Sequence, residues 1–338
     1  MNNYKKHLPL LLTGVLACGS VSAAEVEPVT LKFAEWLPTT SFAIEYGANP
    51  FMEKVAELSD GQIQFDFYPA EQLGRGSESL TLLQTGVADI ANVSPAYIPE
   101  KLPLSGVVEL PEIVKNSCSA ADSFYEMAQP GGAIYEAEFK RHHIRPLWVG
   151  NMGRYRILTN NSDISSLDDL NGLRMRTAGG PMTLTADALG SSPVTMQASD
   201  VLTSLSRGTL DGVYYPLRGI LDYGLAPALD QLIPNFSVAS FGLTYSISDR
   251  VWERLSQQQQ NILVEAGRYA MQTYCDYVDN SEPEIIQTLE EEYGIAQVPL
   301  SDSDLEQAHA NLEGVYDRWA EPLKARGLPT QEVIEGMQ

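Results

Sequence analysis

Residues 61–93 read GQIQFDFYPAEQLGRGSESLTLLQTGVADIANV, and this stretch determines the class of fold that we expect. Apolar and polar side chains alternate over residues 62–68, which predicts a half-buried strand that Pro69 ends. Leucines at helical spacing predict a helix over residues 77–86, and residues 89–93 form a second strand-like run. A strand, a helix and a strand in this order predict a mostly parallel sheet with helices on its faces.

The same alternation of strand and helix patterns continues on both sides of this stretch. A β-branched and aromatic segment at residues 29–36 and a helix-periodic segment at residues 42–58 precede it, and similar patterns recur between residues 144 and 215. Residues 256–293 predict one long helix, broken only near Ser281-Glu282-Pro283. A helix of this length usually packs across more than one unit. We therefore expect an α/β fold of two lobes with a ligand cleft between them.

No Ser/Gly-rich linker separates the two expected lobes, so the chain is expected to cross between them more than once. The predicted division is residues 1–24 as a signal peptide, residues 25–152 plus 241–280 as lobe I, and residues 153–240 plus 281–338 as lobe II.

The first two dozen residues predict export from the cytoplasm. Lys5 and Lys6 precede a short apolar run, and small residues follow up to Ala23 and Ala24. This order is typical of a secretory signal peptide, with an apolar run too short to span a bilayer, so we expect cleavage after Ala23 or Ala24 and a periplasmic protein. The alternative is a lipoprotein anchored at Cys18, although Leu16 is bulky for its position in a lipobox.

Charge and cysteine content narrow the class of protein further. The chain has 22 Lys and Arg against 44 Asp and Glu, a formal net charge of −22. Such acidity favours solubility and argues against a nucleic acid or an anionic membrane as partner. Cys118 and Cys275 lack the spacing of a metal site. In an oxidising compartment they could form a disulfide, or they could be two unrelated buried thiols.

The sequence lacks the motifs of common enzymes. It has no Gly-rich loop ending in Gly-Lys-Ser/Thr, no complete dinucleotide loop, no G-x-S-x-G, no H-E-x-x-H and no C-x-x-C. His142 and His143 are adjacent and point to opposite sides, so they make a poor metal site. We therefore predict no catalytic residues, no metal and no cofactor.

Three stretches stand together in an order that resembles one family. They are YPAEQLG at residues 68–74 with ESLTLLQTGVADI at residues 78–90, LNGLRMR at residues 170–176, and ASDV at residues 198–201 followed by LDG at residues 210–212. Together they resemble the substrate-binding proteins of tripartite ATP-independent periplasmic (TRAP) transporters, the dicarboxylate-type family, over essentially the whole mature chain. The resemblance implies a two-lobed fold that closes on its ligand by a hinge, and a pair of TRAP membrane subunits as partner. A monomer is the expected state.

The resemblance also implies a pair of arginines as the ligand site. Arg176 stands where the family has the arginine that forms a paired contact with a carboxylate, and a guanidinium suits that role because it stays charged and donates two parallel hydrogen bonds. Arg156 matches a second family arginine, with Arg154 as its rival. Tyr215 stands where the branch that binds acidic sugars has an asparagine, which argues against sialic acid or a plain C4-dicarboxylate. The expected ligand is a small organic acid, either a carboxylate or a sulfonate.

Several aromatic and polar residues at strand ends complete the set of candidates, because open α/β sheets bind ligands there. They are Trp36, Tyr97, Tyr214, Asn151 and Phe241, with Trp148 and Glu35 considered beside them. Two other functions stay open: a small cationic or zwitterionic amine held by Trp36, Tyr97 and Tyr214 through cation–π contacts, and a periplasmic enzyme acting on a small acid. A ligand-sensing protein that docks on a receptor stays open beside transport.

Overall fold

The computed structural model describes residues 26–160 and 163–338 of the chain. The predicted signal peptide, its cleavage site and the alternative lipid anchor at Cys18 lie outside the described residues. Within the described residues, no helix combines the length and the apolar character needed to cross a membrane.

Two mixed sheets form the framework. The strands are β1 Val29–Ala34, β2 Ile63–Tyr68, β3 Ile90–Val93, β4 Ile144–Asn151, β5 Tyr155–Thr159, β6 Arg174–Thr177, β7 Ser192–Thr195, β8 Gly212–Pro216, β9 Gln231–Ile233, β10 Gly242–Ser248 and β11 Ala296–Gln297. The first sheet has the order β2-β1-β3-β10-β4 and the second has the order β11-β9-β5-β8-β6-β7. β1 is parallel to β2 and β3, as the β-α-β-α-β pattern predicts, and β10 is antiparallel to both β3 and β4.

Helices cover both sheets. They are α1 Asn49–Leu58, α2 Ser79–Thr85, α3 Ser117–Met127, α4 Ala133–Ala137, α5 Gly180–Ala188, α6 Val201–Ser206, α7 Leu217–Asp222, α8 Asp249–Trp252, α9 Gln257–Glu291, α10 Asp302–Leu312, α11 Val315–Lys324 and α12 Thr330–Met337. The sequence patterns did not reveal α3, α4, α7 or the C-terminal helices.

The long helix α9 contacts helix α1 and strand β4 of the first sheet's unit and helix α7 of the second sheet's unit. Ser256 and Gln259 form a capping box at its start, which satisfies two backbone N–H groups. A side chain at Gly150 would come within 2.6 Å of the Tyr274 ring, so glycine at this position of β4 lets the helix lie close to the sheet. The fold is that of a two-lobed periplasmic binding protein.

The predicted break of the long helix near Pro283 is wrong. The helix continues through Ser281, Glu282 and Pro283 to Glu291. Proline removes one backbone donor from a helix, but a helix that is packed along its length can tolerate that loss with a local kink. Continuity matters because it lets one rigid element carry Tyr274 on the first sheet and Glu282 next to the second.

The exact division of the chain into two lobes stays a prediction. β4 of the first sheet ends at Asn151 and β5 of the second begins at Tyr155, and the chain returns to the first sheet with β10 at Gly242. Helices α10 and α11 contact α5, whereas α12 contacts α3 and α4 beside the first sheet. The C-terminal segment therefore touches both units.

A disulfide joins Cys118 on α3 to Cys275 on α9. The alternative of two separate buried thiols is wrong for the structure described here. Asp279, one turn along α9, accepts hydrogen bonds from the backbone N–H groups of Ser117 and Cys118 at 2.7 and 3.2 Å. The disulfide and this capping carboxylate both hold the start of α3 against the long helix.

Candidate functional site

A small cavity lies between the two sheets, close to residues that end or follow strands of each sheet. The first sheet's unit contributes Trp36, which follows β1, and Tyr97, which follows β3. The second contributes Arg176 on β6 and Tyr215 on β8. The full lining consists of Trp36, Leu37, Tyr97, Met152, Tyr155, Arg176, Ala198, Tyr215, Pro216, Tyr223 and Phe241.

Arg176 is the charged group of this cavity, and it is 1% exposed. Its Nε and Nη2 atoms donate hydrogen bonds to the carbonyl oxygen of Met196 at 3.2 and 3.0 Å. Nη1 has no hydrogen-bond partner, and no carboxylate among the described residues forms an ion pair with this guanidinium. A buried charge without a counter-ion is unfavourable, so the arrangement is suited to an anion supplied from outside.

Aromatic rings enclose the space around the guanidinium. The Arg176 guanidinium carbon lies 4.9 Å from the centre of the Tyr215 ring, a cation–π contact. The rings of Trp36 and Phe241 both pack edge-on against Tyr97, each with ring centres 5.3 Å apart. Tyr155 stacks parallel to Phe241 at 6.2 Å. A planar apolar group would therefore meet rings on several sides.

The tyrosine hydroxyls of the cavity remain protonated at neutral pH. Burial raises the pKa of Tyr97, Tyr155 and Tyr215, and the charge of Arg176 only partly opposes that rise. A neutral phenol can donate a hydrogen bond, so these hydroxyls can add to the contacts of an anion that Arg176 holds.

Three of the predicted site residues have other partners. Arg156 does not line the cavity, because its Nε and Nη2 atoms both donate to Oε1 of Glu282 on α9, at 2.8 and 2.5 Å. Tyr214 on β8 is buried outside the cavity lining, with its hydroxyl 2.5 Å from Ser191 Oγ. Asn151 accepts from Ser117 Oγ and the Gly153 N–H, where the chain passes between the sheets.

Three weaker candidates from the sequence, Arg154, Trp148 and Glu35, do not line the cavity either. Arg154 is largely exposed and donates to the Lys115 carbonyl. Trp148 is fully buried and stacks on Tyr245 at 3.7 Å. Glu35 is not among the residues that line the cavity, and its Oε1 accepts hydrogen bonds from Leu37 N–H and Asn92 Nδ2. Burial raises the Glu35 pKa to about 7, and these two donors oppose the rise.

Sequence reasoning missed Tyr155, Tyr223 and Met152 as lining residues. Tyr155 lies between Arg154 and Arg156, the two arginines that the sequence offered as candidates for the second ligand arginine. Alternation along a strand places neighbours on opposite faces, so an inward Tyr155 is a signal against an inward Arg156. Tyr223 follows α7, an element that the patterns did not reveal.

Contacts across the mouth hold the two units together. Tyr97 OH accepts a hydrogen bond from the Ala198 N–H at 3.1 Å, and Arg75 pairs with Asp200 at 2.5 Å. On the far side of the cavity, the carboxylate of Asp222 accepts from the Phe42 N–H at 3.1 Å. The described conformation is therefore closed over the cavity.

One cluster has the composition of a metal site. Cys118, Cys275 and Asp276 come close enough to share an ion, but the disulfide between the two cysteines removes both thiolate ligands. The cluster fits a structural crosslink.

Comparison with known proteins places the chain in a group with a common fold. Residues 33–322 match the family model of bacterial extracellular solute-binding proteins, family 7. A solute-binding protein of Roseobacter denitrificans is 28% identical over 264 residues, which cover 77% of this chain and 78% of that protein. Its name does not identify a ligand.

Two solved structures of TRAP solute-binding proteins superimpose over nearly the whole chain. One, from Bordetella bronchiseptica with bound (R)- and (S)-mandelate, has a TM-score of 0.82 at 23% identity and covers 92% of this chain and 98% of its own. The other, from Rhodoferax ferrireducens with copurified benzoate, has a TM-score of 0.83 at 22% identity and covers 91% and 96%.

Proposed function

This chain belongs to family 7 of the bacterial extracellular solute-binding proteins, the substrate-binding family of TRAP transporters, and we propose that its ligand is a monocarboxylate with a compact, ring-sized apolar body. The family consists of binding proteins without enzymatic activity, and its members bind small organic ligands outside the cytoplasm for TRAP membrane subunits.

The observation that carries the proposal is the buried guanidinium of Arg176 without a protein counter-ion. Its Nη1 without a partner and its place in the cavity lining support one carboxylate as partner. A second cation for a second carboxylate is lacking among the cavity residues, because Arg156 is already neutralised by Glu282. One positive charge supports a monoanion over a dicarboxylate.

The aromatic lining supports a ring or a similarly compact apolar group as the body of the ligand. Trp36, Tyr97, Tyr155, Tyr215 and Phe241 surround the small cavity beside Arg176. Aromatic side chains prefer edge-on or offset contacts with other rings. The two relatives solved with mandelate and benzoate are consistent with such a ligand, since both molecules are ring-bearing monocarboxylates.

The remaining parts of the proposal concern processing and delivery. The mature protein would begin after Ala23 or Ala24, act in the periplasm as a monomer, and present its closed form to the membrane subunits. The predicted boundaries of lobes I and II belong to the same proposal, with the cavity between them.

An amine ligand is the weaker candidate. Trp36 and Tyr97 do line the cavity, but Tyr214 does not, and Arg176 would repel a cation in a site with little water. We expect choline and similar amines to leave the melting temperature unchanged.

Native mass spectrometry of the purified protein, followed by denaturation, tests the proposal by releasing whatever the protein carries. Calorimetry with benzoate, mandelate, succinate and choline then compares the affinities for ring monocarboxylates, a dicarboxylate and an amine. We expect the ring acids to bind and succinate and choline to give no heat. Tyr215→Asn, which installs the family's alternative residue, should weaken the ring acids. Tight binding of succinate or choline by the unaltered protein would overturn the proposal.

A further inference from the structure

Glu109 is a carboxyl group at the contact between the two units, outside the ligand cavity. It ends the short 3-10 turn Ser105–Glu109, which contacts β10 of the first sheet on one side and α5 of the second unit on the other. A Cβ atom built at Gly180, the first residue of α5, would lie 2.6 Å from Glu109 Oε2. The carboxyl group therefore touches the backbone at the start of a helix that belongs to the opposite side of the cleft.

The backbone of the second unit is shaped for this contact. Gly179 and Gly180 have φ values of +123° and +53°, and a Cβ at Gly179 would come within 2.5 Å of the Ala96 carbonyl oxygen. Side chains at these two positions would be strained and would push the units apart. The strand that carries Arg176 ends at Thr177, and only Ala178 separates it from the two glycines, so the contact lies close along the chain to the guanidinium.

Glu109 is fully buried, and neither of its oxygens has a hydrogen-bond partner among the described residues. The Ala96 backbone lies near it without meeting the geometry of a hydrogen bond, so it only partly opposes the effect of burial, which raises the Glu109 pKa well above its ordinary value. A carboxylate buried without donors or a cation is strongly unfavourable, and such a group is accommodated as the neutral acid.

The turn also contacts α12, which carries Glu332 and Glu335 and no basic residue. Glu138 accepts hydrogen bonds from the N–H and Oγ of Ser105 at the start of the turn, and burial raises its pKa to about 7.

The other charged groups on the neighbouring elements are paired. Asp187 at the end of α5 pairs with Arg318 on α11, and Glu112, beyond the turn, pairs with His309 on α10. Tyr97 and Tyr155 are the titratable side chains toward the cavity, and burial raises the pKa of both, so they remain neutral. None of these groups supplies a positive charge to Glu109 in the described structure.

We propose that Glu109 is a proton-binding site that closure completes, so that the protein takes up one proton together with its organic anion. When the units separate, the backbone at Gly180 moves away and water reaches the carboxyl group, which then ionises at its ordinary pKa. The inference rests on the proposed function in one respect, since the anion is what drives closure. Glu35 is another buried carboxyl group, but we do not expect closure to change its protonation. Its hydrogen-bond donors, Leu37 N–H and Asn92 Nδ2, lie on its own side of the cleft.

The sign of the linkage follows from the two states. The closed form binds more protons than the open form at any pH between the ordinary pKa of Glu109 and its raised value, so the dissociation constant of the anion increases with pH. The increase is about tenfold per pH unit for one proton within that interval. Below it, Glu109 is protonated in both states and the dependence vanishes.

Titration calorimetry with benzoate as the probe, in buffers of different ionisation enthalpy near pH 7, counts the protons. The unaltered protein should take up about one proton per benzoate, and Glu109→Gln should take up about none while binding benzoate. Glu126→Gln is the matched control, because it makes the same change at an exposed position of α3 and should keep the uptake. Equal uptake by Glu109→Gln and the unaltered protein would overturn the proposal, as would no uptake by the unaltered protein.

A measurement without ligand separates this inference from the proposed function. Small-angle X-ray scattering of the ligand-free protein should show a decreasing radius of gyration from about pH 8 to about pH 5.5, and this dependence should be absent in Glu109→Gln. If benzoate gives no heat, the ring-acid proposal fails while the scattering still decides the role of Glu109. If Glu109→Gln does not fold, Glu109→Met takes its place; an identical pH profile in the substituted and unaltered proteins would contradict the proton site.

Discussion

Replacing Arg176 by methionine separates two effects of this side chain, the capture of an anion and the presence of a buried charge without a counter-ion. Methionine fills a similar length without charge. Loss of one partner from a buried, hydrogen-bonded charge pair costs about 2–5 kcal/mol. The dissociation constant for a ring monocarboxylate should therefore rise about 30-fold to about 4,000-fold.

The stability of the ligand-free protein should respond quite differently. The substitution loses the two hydrogen bonds to the Met196 carbonyl, each worth about 1.5–3 kcal/mol when one partner is charged. It also removes a fully buried charge with one unpaired nitrogen, and replacing buried charges by apolar groups often stabilises by about 1–4 kcal/mol. The two effects oppose each other, and the midpoints of their ranges leave a net decrease of about 2 kcal/mol in the free energy of unfolding.

Calorimetry with benzoate and urea denaturation of the ligand-free protein measure the two quantities on the same sample. Arg218→Met is a suitable control, because Arg218 is also an arginine near the cleft but is paired with Asp222 and does not line the cavity. Unchanged benzoate affinity in Arg176→Met would refute the reasoning. A loss of stability of about 5 kcal/mol would show instead that Arg176 is a structural residue.

Three further expectations concern residues outside the cavity. Arg156→Met should leave benzoate affinity within about threefold while lowering the free energy of unfolding, because it leaves Glu282 without its partner; a loss of affinity as large as that of Arg176→Met in calorimetry would restore Arg156 to the ligand site. Since burial raises the Glu35 pKa to about 7, the folded state holds an extra proton between about pH 4.5 and about pH 7, and the free energy of unfolding should fall as pH rises through this interval by up to about 3 kcal/mol. Urea denaturation across pH should show a smaller fall in Glu35→Gln, and identical slopes would contradict this assignment. Replacing both Cys118 and Cys275 by alanine opens a crosslink between residues 157 positions apart, which in the chain-entropy view destabilises the protein by up to about 5 kcal/mol; an unchanged thermal midpoint would argue against a disulfide in the purified protein.

The sequence by itself predicted the secondary structure around the first sheet and the class of fold. The alternation of apolar and polar side chains over residues 62–68 and the apolar run at residues 89–93 predicted β2 and β3. The helix α2 between them lies where the spacing of its leucines predicts it. These patterns are local, so the residues that create them are also the residues that form the element. The family resemblance then selected Arg176, and the structure places that side chain in the cavity.

The tertiary structure decided which of several similar candidates reach the cavity. Arg176 and Arg156 both match arginines of the family, as the main and the second ligand residue, but Glu282, 126 residues away from Arg156, pairs with Arg156 and not with Arg176. The surroundings of Tyr214, Asn151 and Glu109 are likewise set by elements that are distant along the chain or that the patterns did not reveal. Periodicity along one strand or helix specifies only which side chains face inward. Whether an inward polar side chain becomes a binding group depends on the charges and the water around it in the folded protein. Those surroundings are created by the packing of both units against each other.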